Sequence, residues 1–355
     1  MNRFEKLFGL LPESVESVLI TSDVNRRYFT GMKSSAGSVL AFRNKAYLLI
    51  DFRYIEKARE TVKTAEVLET KELYKEISGL LRQEGVKNLA IEAMDVTVSR
   101  LNTMKKHLKC VEIIETDALS NAINKLRSVK DEEELGYIQK AQEIAESAFE
   151  DILGFIKEGV SEREIALELD RLMLAKGAEG ISFDTIALAG ENTSMPHGVP
   201  SDKRVKNGEF VLMDFGAVYN GYHSDMTRTV CVGEPDEEMV KIYNIVLAAQ
   251  EKAIAAARAG ITGAELDSAA RKYICSHGYG EYFGHSLGHG VGLEIHEMPN
   301  AAPRYDKPLE KGAVITIEPG IYIAGKFGVR IEDFVILTEN GCINLTKSAK
   351  NIISL

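Results

Sequence analysis

The dipeptide Asn220-Gly221 divides the phrase VLMDFGAVYNGYHSDMTRTV, residues 211–230, into two β-rich halves. Asn-Gly is the pair that best accepts the positive φ of a two-residue turn, so the phrase is expected to fold as a hairpin. A hairpin lays Asp214 and Asp225 side by side on neighbouring strands, where each raises the cost of ionising the other. Taken alone, both have ordinary explanations: Asp214 ends a strand before Gly216, and Asp225 pairs with Arg228.

Three further phrases change the weighting. Glu318 stands in VITIEPG (314–320) and Glu332 in GVRIEDFVIL (328–337), runs apolar enough that a carboxylate costs free energy unless it is paired or coordinated. For Glu332 an ion pair with Arg330 or with a neighbouring strand is an equal alternative, and Glu318-Pro319-Gly320 also reads as a turn after a strand. His285, His289 and His296 fall within FGHSLGHGVGLEIHE (283–297), in a chain with only 7 histidines, and the glycines around His289 let the backbone pass close to a ligand. Asp214, Asp225, His289, Glu318 and Glu332 together make four carboxylates and one imidazole. Brought to one point they repel and stay partly protonated unless divalent cations neutralise them; two dications match four negative charges and can hold a hydroxide as nucleophile.

These phrases, with NTSMPHGVP (192–200), LRSVKDEEELGYIQKA (126–141) and more weakly NRRYFTGMKSSAGSVL (25–40), resemble the pita-bread metallopeptidases, within them the aminopeptidase P and prolidase branch. The resemblance implies an α/β N-terminal domain of the creatinase type. It places after this an α+β pita-bread catalytic domain of the creatinase/aminopeptidase kind, built on a curved antiparallel sheet. It implies that Asp214 holds one metal, that His289 and Glu318 hold the other, and that Asp225 and Glu332 bridge them. Glu318 then shuttles a proton, His197 and His296 steady the oxyanion, His285 stands nearby without binding metal, and Arg330 fixes a carboxylate ligand.

The oxygen-rich, thiolate-free set suits Mn(II), with Co(II), Zn(II) or Fe(II) as alternatives. The implied activity is hydrolysis of the bond between an N-terminal residue and proline, in dipeptides or longer peptides, by a homodimer. Methionine aminopeptidases share only the catalytic half. The same fold serves metal-free creatinase-like amidinohydrolases and binding modules, which lack the complete donor set, and a side activity on esters or organophosphates is a weaker alternative. Ala313 stands where many relatives carry methionine, and Asn300-Ala-Ala-Pro lies where the following loop varies and is expected to line the proline pocket, bearing on substrate choice.

A chain of 355 residues is long for one domain and comfortable for two. Its net charge of −10 disfavours nucleic acid and anionic membranes as partners and favours a small molecule or peptide. Cys110, Cys231, Cys275 and Cys342 are scattered without a CxxC pair and read as buried structural thiols. The first residues carry no apolar stretch of signal-peptide length, so a cytoplasmic protein is expected.

Short β-rich runs (SVLIT, SVLAF, AYLLI, AEVLET, NLAIE, VEIIE) interleave with helical stretches at 71–84 and 97–107, the pattern of a three-layer α/β domain over 1–125. Over 126–355 the pattern predicts a long helix after Lys130 with acidic residues at its start and a second from Ser161 with a Ser-x-x-Glu capping box. Helices near 236–258 and 263–277 follow. No internal duplication is visible in these residues.

Overall fold

The computed structural model describes residues 2–355. The chain divides into two compact units, one ending at Arg127 and the other spanning Ser128–Leu355. Among the described residues no helix is long and apolar enough to cross a membrane.

In the first unit a six-stranded sheet runs in the order Glu66–Glu69, Lys45–Ile50, Ser38–Phe42, Ser17–Ile20, Asn88–Ile91, Glu112–Ile114. Ser38–Phe42 pairs antiparallel with both of its neighbours, and the other three pairs are parallel. Ser17–Ile20 and Ser38–Phe42 are buried along their whole length, which is why they read as unbroken apolar runs rather than as alternating ones. Leu19, Leu40, Leu49 and Ile91 pack with Ile77, Leu81 and Met104 from the helices Leu73–Glu84 and Val98–His107, each such side chain contributing about 1.5–3 kcal/mol.

The sequence patterns omit four short helices here: Arg3–Leu10, Asp23–Thr30, Ile55–Thr61 and Ala118–Ser128. Asp23–Thr30 buries the polar Asn25, Arg26 and Thr30 beside Tyr28 and Phe29. Glu92, fully buried, accepts from Ser22 N at 2.9 Å and from Asn25 Nδ2 at 2.7 Å, a long-range bond that periodicity does not report.

In the second unit the helices are Glu132–Ile152, Glu162–Ala175, Glu237–Ala256 and Gly263–Ser276. Asp131, Ser161 and Thr262 each close a capping box with the glutamate three residues on. Gly159-Val160-Ser161-x-x-Glu164-Ile165 and Gly260-Ile261-Thr262-x-x-Glu265-Leu266 open the second and fourth helices, and Gly177 and Gly278 follow them, all four glycines at positive φ. Each helix pair is followed by a long hairpin bearing carboxylates. The duplication, not apparent in the sequence patterns above, is present as a repeated pattern of caps, stops and hairpins, its shared side chains confined to these short cap phrases.

The expected single curved sheet is divided by hydrogen bonding into four antiparallel pieces, of three, three, five and two strands. The divisions fall where the carboxylates stand. Glu209–Phe215 pairs with Met226–Val232, Asp214 facing Thr227, while beyond Gly216 the chain re-pairs as Val218 with His223 around the Asn220-Gly221 turn. The hairpin forms as expected, with both turn residues at positive φ. In the second hairpin Ile317 faces Asp333 and Gly320 faces Arg330, so Glu318 and Glu332 lie in the unpaired break between two ladders and not within continuous strands. A break frees backbone from the flat ladder and lets side chains from both strands turn toward one point.

All four cysteines are free thiols. Only Cys231 is buried, and Cys275 is exposed on the last turn of its helix, so the expectation of buried thiols holds for one position.

Gly216 marks the first break. A Cβ there would stand 2.0 Å from the Ser224 carbonyl oxygen, a contact that backbone cannot relieve cheaply. Gly216→Ala is expected to destabilise the protein by about 2 kcal/mol or more and to weaken metal binding, because the strands carrying Asp214 and Asp225 must part. Unchanged thermal stability and unchanged metal content would contradict this account of the break.

Candidate metal centre

Asp214 is supplied by the strand Glu209–Phe215, Asp225 by the residue before Met226–Val232, and Glu332 by the break in the second hairpin. One carboxylate oxygen from each lies within 4.8 Å of the other two. His289, in the short strand Gly288–Gly290, brings its Nε2 to 3.3 Å from Glu318 Oε1 and 3.6 Å from Asp225 Oδ2. All five side chains line one cavity of about 640 Å³, together with His197, His285, His296 and Arg330.

Burial dominates the electrostatics. It pushes the Glu318 carboxyl up to about 8, and burial together with the neighbouring carboxylates raises Asp225 and Glu332 well above the ordinary carboxylate range. Burial lowers His289 to about 4, so its ring is neutral near pH 7. Its Nδ1–H donates to the Gly290 carbonyl at 3.2 Å, which leaves the unprotonated Nε2 lone pair facing two carboxylates. Lone pairs so arranged repel unless a cation lies between them. Asp214 Oδ1 and Glu332 Oε1 are buried with no hydrogen-bond donor, a second sign that a cation belongs here. The donor set therefore fits divalent metal.

Three of the other carboxylate oxygens are held by two hydroxyls and one guanidinium. Thr227 donates to Glu332 at 2.7 Å, and Thr316 donates to Glu318 at 3.1 Å while accepting from His289 N at 2.9 Å. Arg330 gives Nη2 to Asp214, Nε to Thr227 Oγ1 at 3.0 Å and Nη1 to the Tyr322 hydroxyl at 2.9 Å. That hydroxyl, already accepting, donates to His285 Nε2 at 2.9 Å, and His285 Nδ1 donates to the Ser286 carbonyl at 2.8 Å. Burial lowers His285 to about 4 and lifts Tyr322 to about 12, so both links are neutral.

Two pairings that the sequence left open are absent. Arg228 bonds Asp333 Oδ1 at 2.8 Å and not Asp225, and Arg330 bonds Asp214 and not Glu332. His296 stacks edge-on against His289 with ring centroids 4.3 Å apart, and His197 projects from the exposed loop between Pro196 and Pro200 into the same cavity.

Sequence reasoning missed Tyr322, Thr227 and Thr316, which carry no charge, and the lining residues Phe183, Asp184 and Ile186, whereas Asn300 and Ala302, from the loop expected at the proline pocket, do line the cavity. The threonines alternate with apolar neighbours in their strands and read as ordinary β residues. A polar aromatic four residues after Glu318 was the one available signal for Tyr322.

The model of metallopeptidase family M24 matches residues 136–339, and that of the creatinase/prolidase N-terminal domain matches residues 10–129. The chain belongs to metallopeptidase family M24. Membership implies divalent metal at the cluster just described. Among M24 relatives, an Xaa-Pro dipeptidase of Pyrococcus furiosus is 43% identical over 353 residues, 99% of each chain. An Xaa-Pro dipeptidase structure from Bacillus anthracis is 43% identical with a TM-score of 0.96, covering 99% of each chain. An X-Pro aminopeptidase structure from Thermotoga maritima is 39% identical with a TM-score of 0.94, covering 100% of both. The pita-bread fold with its N-terminal α/β domain is thus shown over nearly the full length.

Carboxyls with raised folded pKa values stabilise the fold below their unfolded pKa of about 4, and that contribution is lost as pH rises through the folded value. Below about pH 6.5 the buried neutral His285 and His289 work in the opposite direction, so metal-free protein is expected to lose stability between about pH 6.5 and pH 8, while metal, which binds the ionised form, reverses the trend and displaces protons. Calorimetric titration with metal in two buffers of different ionisation enthalpy, at about pH 6.5, should show proton release. Identical heats in the two buffers would contradict the assigned protonation.

Proposed function

We propose that this M24 chain hydrolyses the peptide bond between an N-terminal residue and proline. The observation that carries the reading is the convergence of Asp214, Asp225, His289, Glu318 and Glu332 on one cavity, with donor-less oxygens turned inward. These residues would hold two divalent ions, Mn(II) suiting so oxygen-rich a set, and ions bound there lower the pKa of water and polarise the scissile carbonyl.

The chain's own groups do the rest. Glu318 takes the proton of the attacking water on a carboxylate oxygen and delivers it to the proline nitrogen, which cannot leave unprotonated. His197 and His296 line the cavity where they can donate to the carbonyl oxygen as it gains charge. Arg330 holds Asp214 in place through a bond that would misalign the carboxylate if lost, and Tyr322 orients Arg330 in turn. Neutral His285 accepts from Tyr322 and ends that chain of bonds. A homodimer in the cytoplasm belongs to the same reading.

Asp225 lies near both His289 and the Asp214–Glu332 pair, as a carboxylate shared by two ions must. Asp225→Asn is expected to lose both metals and not merely rate. Elemental analysis finding two ions still bound to the folded variant would refute the bridging role.

The relatives carry the names dipeptidase and aminopeptidase, so substrate length is tested directly. Protein stripped and reloaded with Mn(II) is expected to release proline from Ala-Pro. Release of alanine from Ala-Pro-Ala as well makes it an aminopeptidase P, and its absence makes it a prolidase. Cleavage of neither with two metals bound refutes the Xaa-Pro reading, and failure to bind metal favours the creatinase-like or binding-module alternative.

A further inference from the structure

The cavity has two walls, and the chain gives each a different chemistry. Glu318, standing against His289, is the group that hands a proton to the departing proline nitrogen, so the proline lies toward the His289 wall, where His289 faces Asn300 in register. The N-terminal residue then lies toward the opposite wall, beside Asp214, whose register partner is Ile186. Phe183 and Asp184 line the cavity on that same side.

Asp184 differs from every other carboxylate of the cavity. The other four belong to the proposed ligand set, and Arg330, the cavity's guanidinium, is taken by Asp214. The Asp184 side chain is exposed and, among the described residues, has neither a hydrogen-bond donor nor a cation opposite it.

Its backbone is nonetheless fixed. Ser182 N donates to the Gly216 carbonyl at 2.8 Å and Ser182 Oγ to the Ser224 carbonyl at 2.8 Å, while Thr185 Oγ1 donates to Asp170 at 2.5 Å. The residues on both sides of Phe183-Asp184 are thus bolted to neighbouring elements, Ser182 to the very break that sets Asp214 beside Asp225. Phe183 and Ile186 are half-buried apolar surface flanking a free carboxylate. A lysine or arginine side chain asks for that combination, an apolar bed for its methylene stem and an anion at its end.

We infer that the subsite for the N-terminal residue selects cationic side chains, Asp184 being the specificity-determining residue and Lys-Pro or Arg-Pro the preferred sequences. The inference rests on the Xaa-Pro reading above. Because Asp184 is exposed, the preference is modest and shrinks with ionic strength.

The test compares kcat/KM of the metal-loaded enzyme for Lys-Pro, Met-Pro and Glu-Pro, each also extended by a C-terminal alanine. Lys is expected to lead and Glu to trail. In Asp184→Asn the Lys-to-Met ratio should fall about two- to fivefold, the range of an exposed ion pair. Asp184→Lys should favour Glu over Lys. Ratios unchanged in both variants overturn the inference, as does an equal loss for all substrates in Asp184→Asn, which would place Asp184 against the common α-ammonium. If the wild-type enzyme cuts none of the peptides, the Xaa-Pro reading has failed and the inference falls with it; if it cuts all of them equally, only the inference fails.

Discussion

The mutual repulsion of buried carboxylates organises the catalytic unit. Asp225 and Glu332 are almost inaccessible to water, and both lie close enough to Asp214 for the charged forms to oppose one another. A fold that gathers such groups must supply compensation at the same point. Hydroxyl donors from Thr227 and Thr316 and the Arg330 guanidinium do so in part. The donor-less oxygens of Asp214 and Glu332, and the neutral face of His289, leave the remainder to divalent metal.

Gathering these groups also dictates where backbone must yield. Each long hairpin is a regular ladder at its base and breaks where its carboxylates turn inward, at Gly216 in the first and at Glu318-Pro319 in the second. Gly288 supports the same geometry, since a Cβ there would lie 2.0 Å from the Thr316 carbonyl oxygen. Strands can approach this closely only without side chains. Arg228 secures the two carboxylate-bearing hairpins to each other. It is buried, donates to the Thr227 and Glu332 carbonyls, pairs with Asp333 and also holds the Ser348 and Ala349 carbonyls. A buried guanidinium with every donor used is a costly element that the ladder breaks make necessary.

The three histidines illustrate how one residue type divides its work. His289 turns an unprotonated nitrogen to the carboxylates, His285 is locked neutral by accepting from Tyr322, and His296 packs edge-on beside His289. Their spacing resembles a metal-binding repeat, yet only His289 stands within reach of the carboxylates.

The sequence by itself determined the two fold classes, the Asn220-Gly221 turn and the capped helices, and it singled out five side chains that the fold gathers around one cavity. Each of these is written in local chemistry: a turn that needs positive φ, a hydroxyl three residues before a glutamate, charge inside an apolar run. It did not determine which arginine serves which carboxylate, that Glu318 and Glu332 lie in ladder breaks, or that Tyr322 joins Arg330 to His285. Arg228 and Arg330 each have a plausible acidic neighbour in sequence, and the actual partners, Asp333 and Asp214, are chosen by strand pairing across about a hundred residues. Nor did it show the duplication, because the repeat conserves caps and backbone stops while its side chains have diverged. Asp184 was silent for the same reason. An aspartate between a phenylalanine and a threonine is unremarkable until the register of Ile186 with Asp214 sets it at the wall of the cavity. Only tertiary structure makes neighbours of residues far apart in the chain, and the chemistry of this site consists almost entirely of such neighbours.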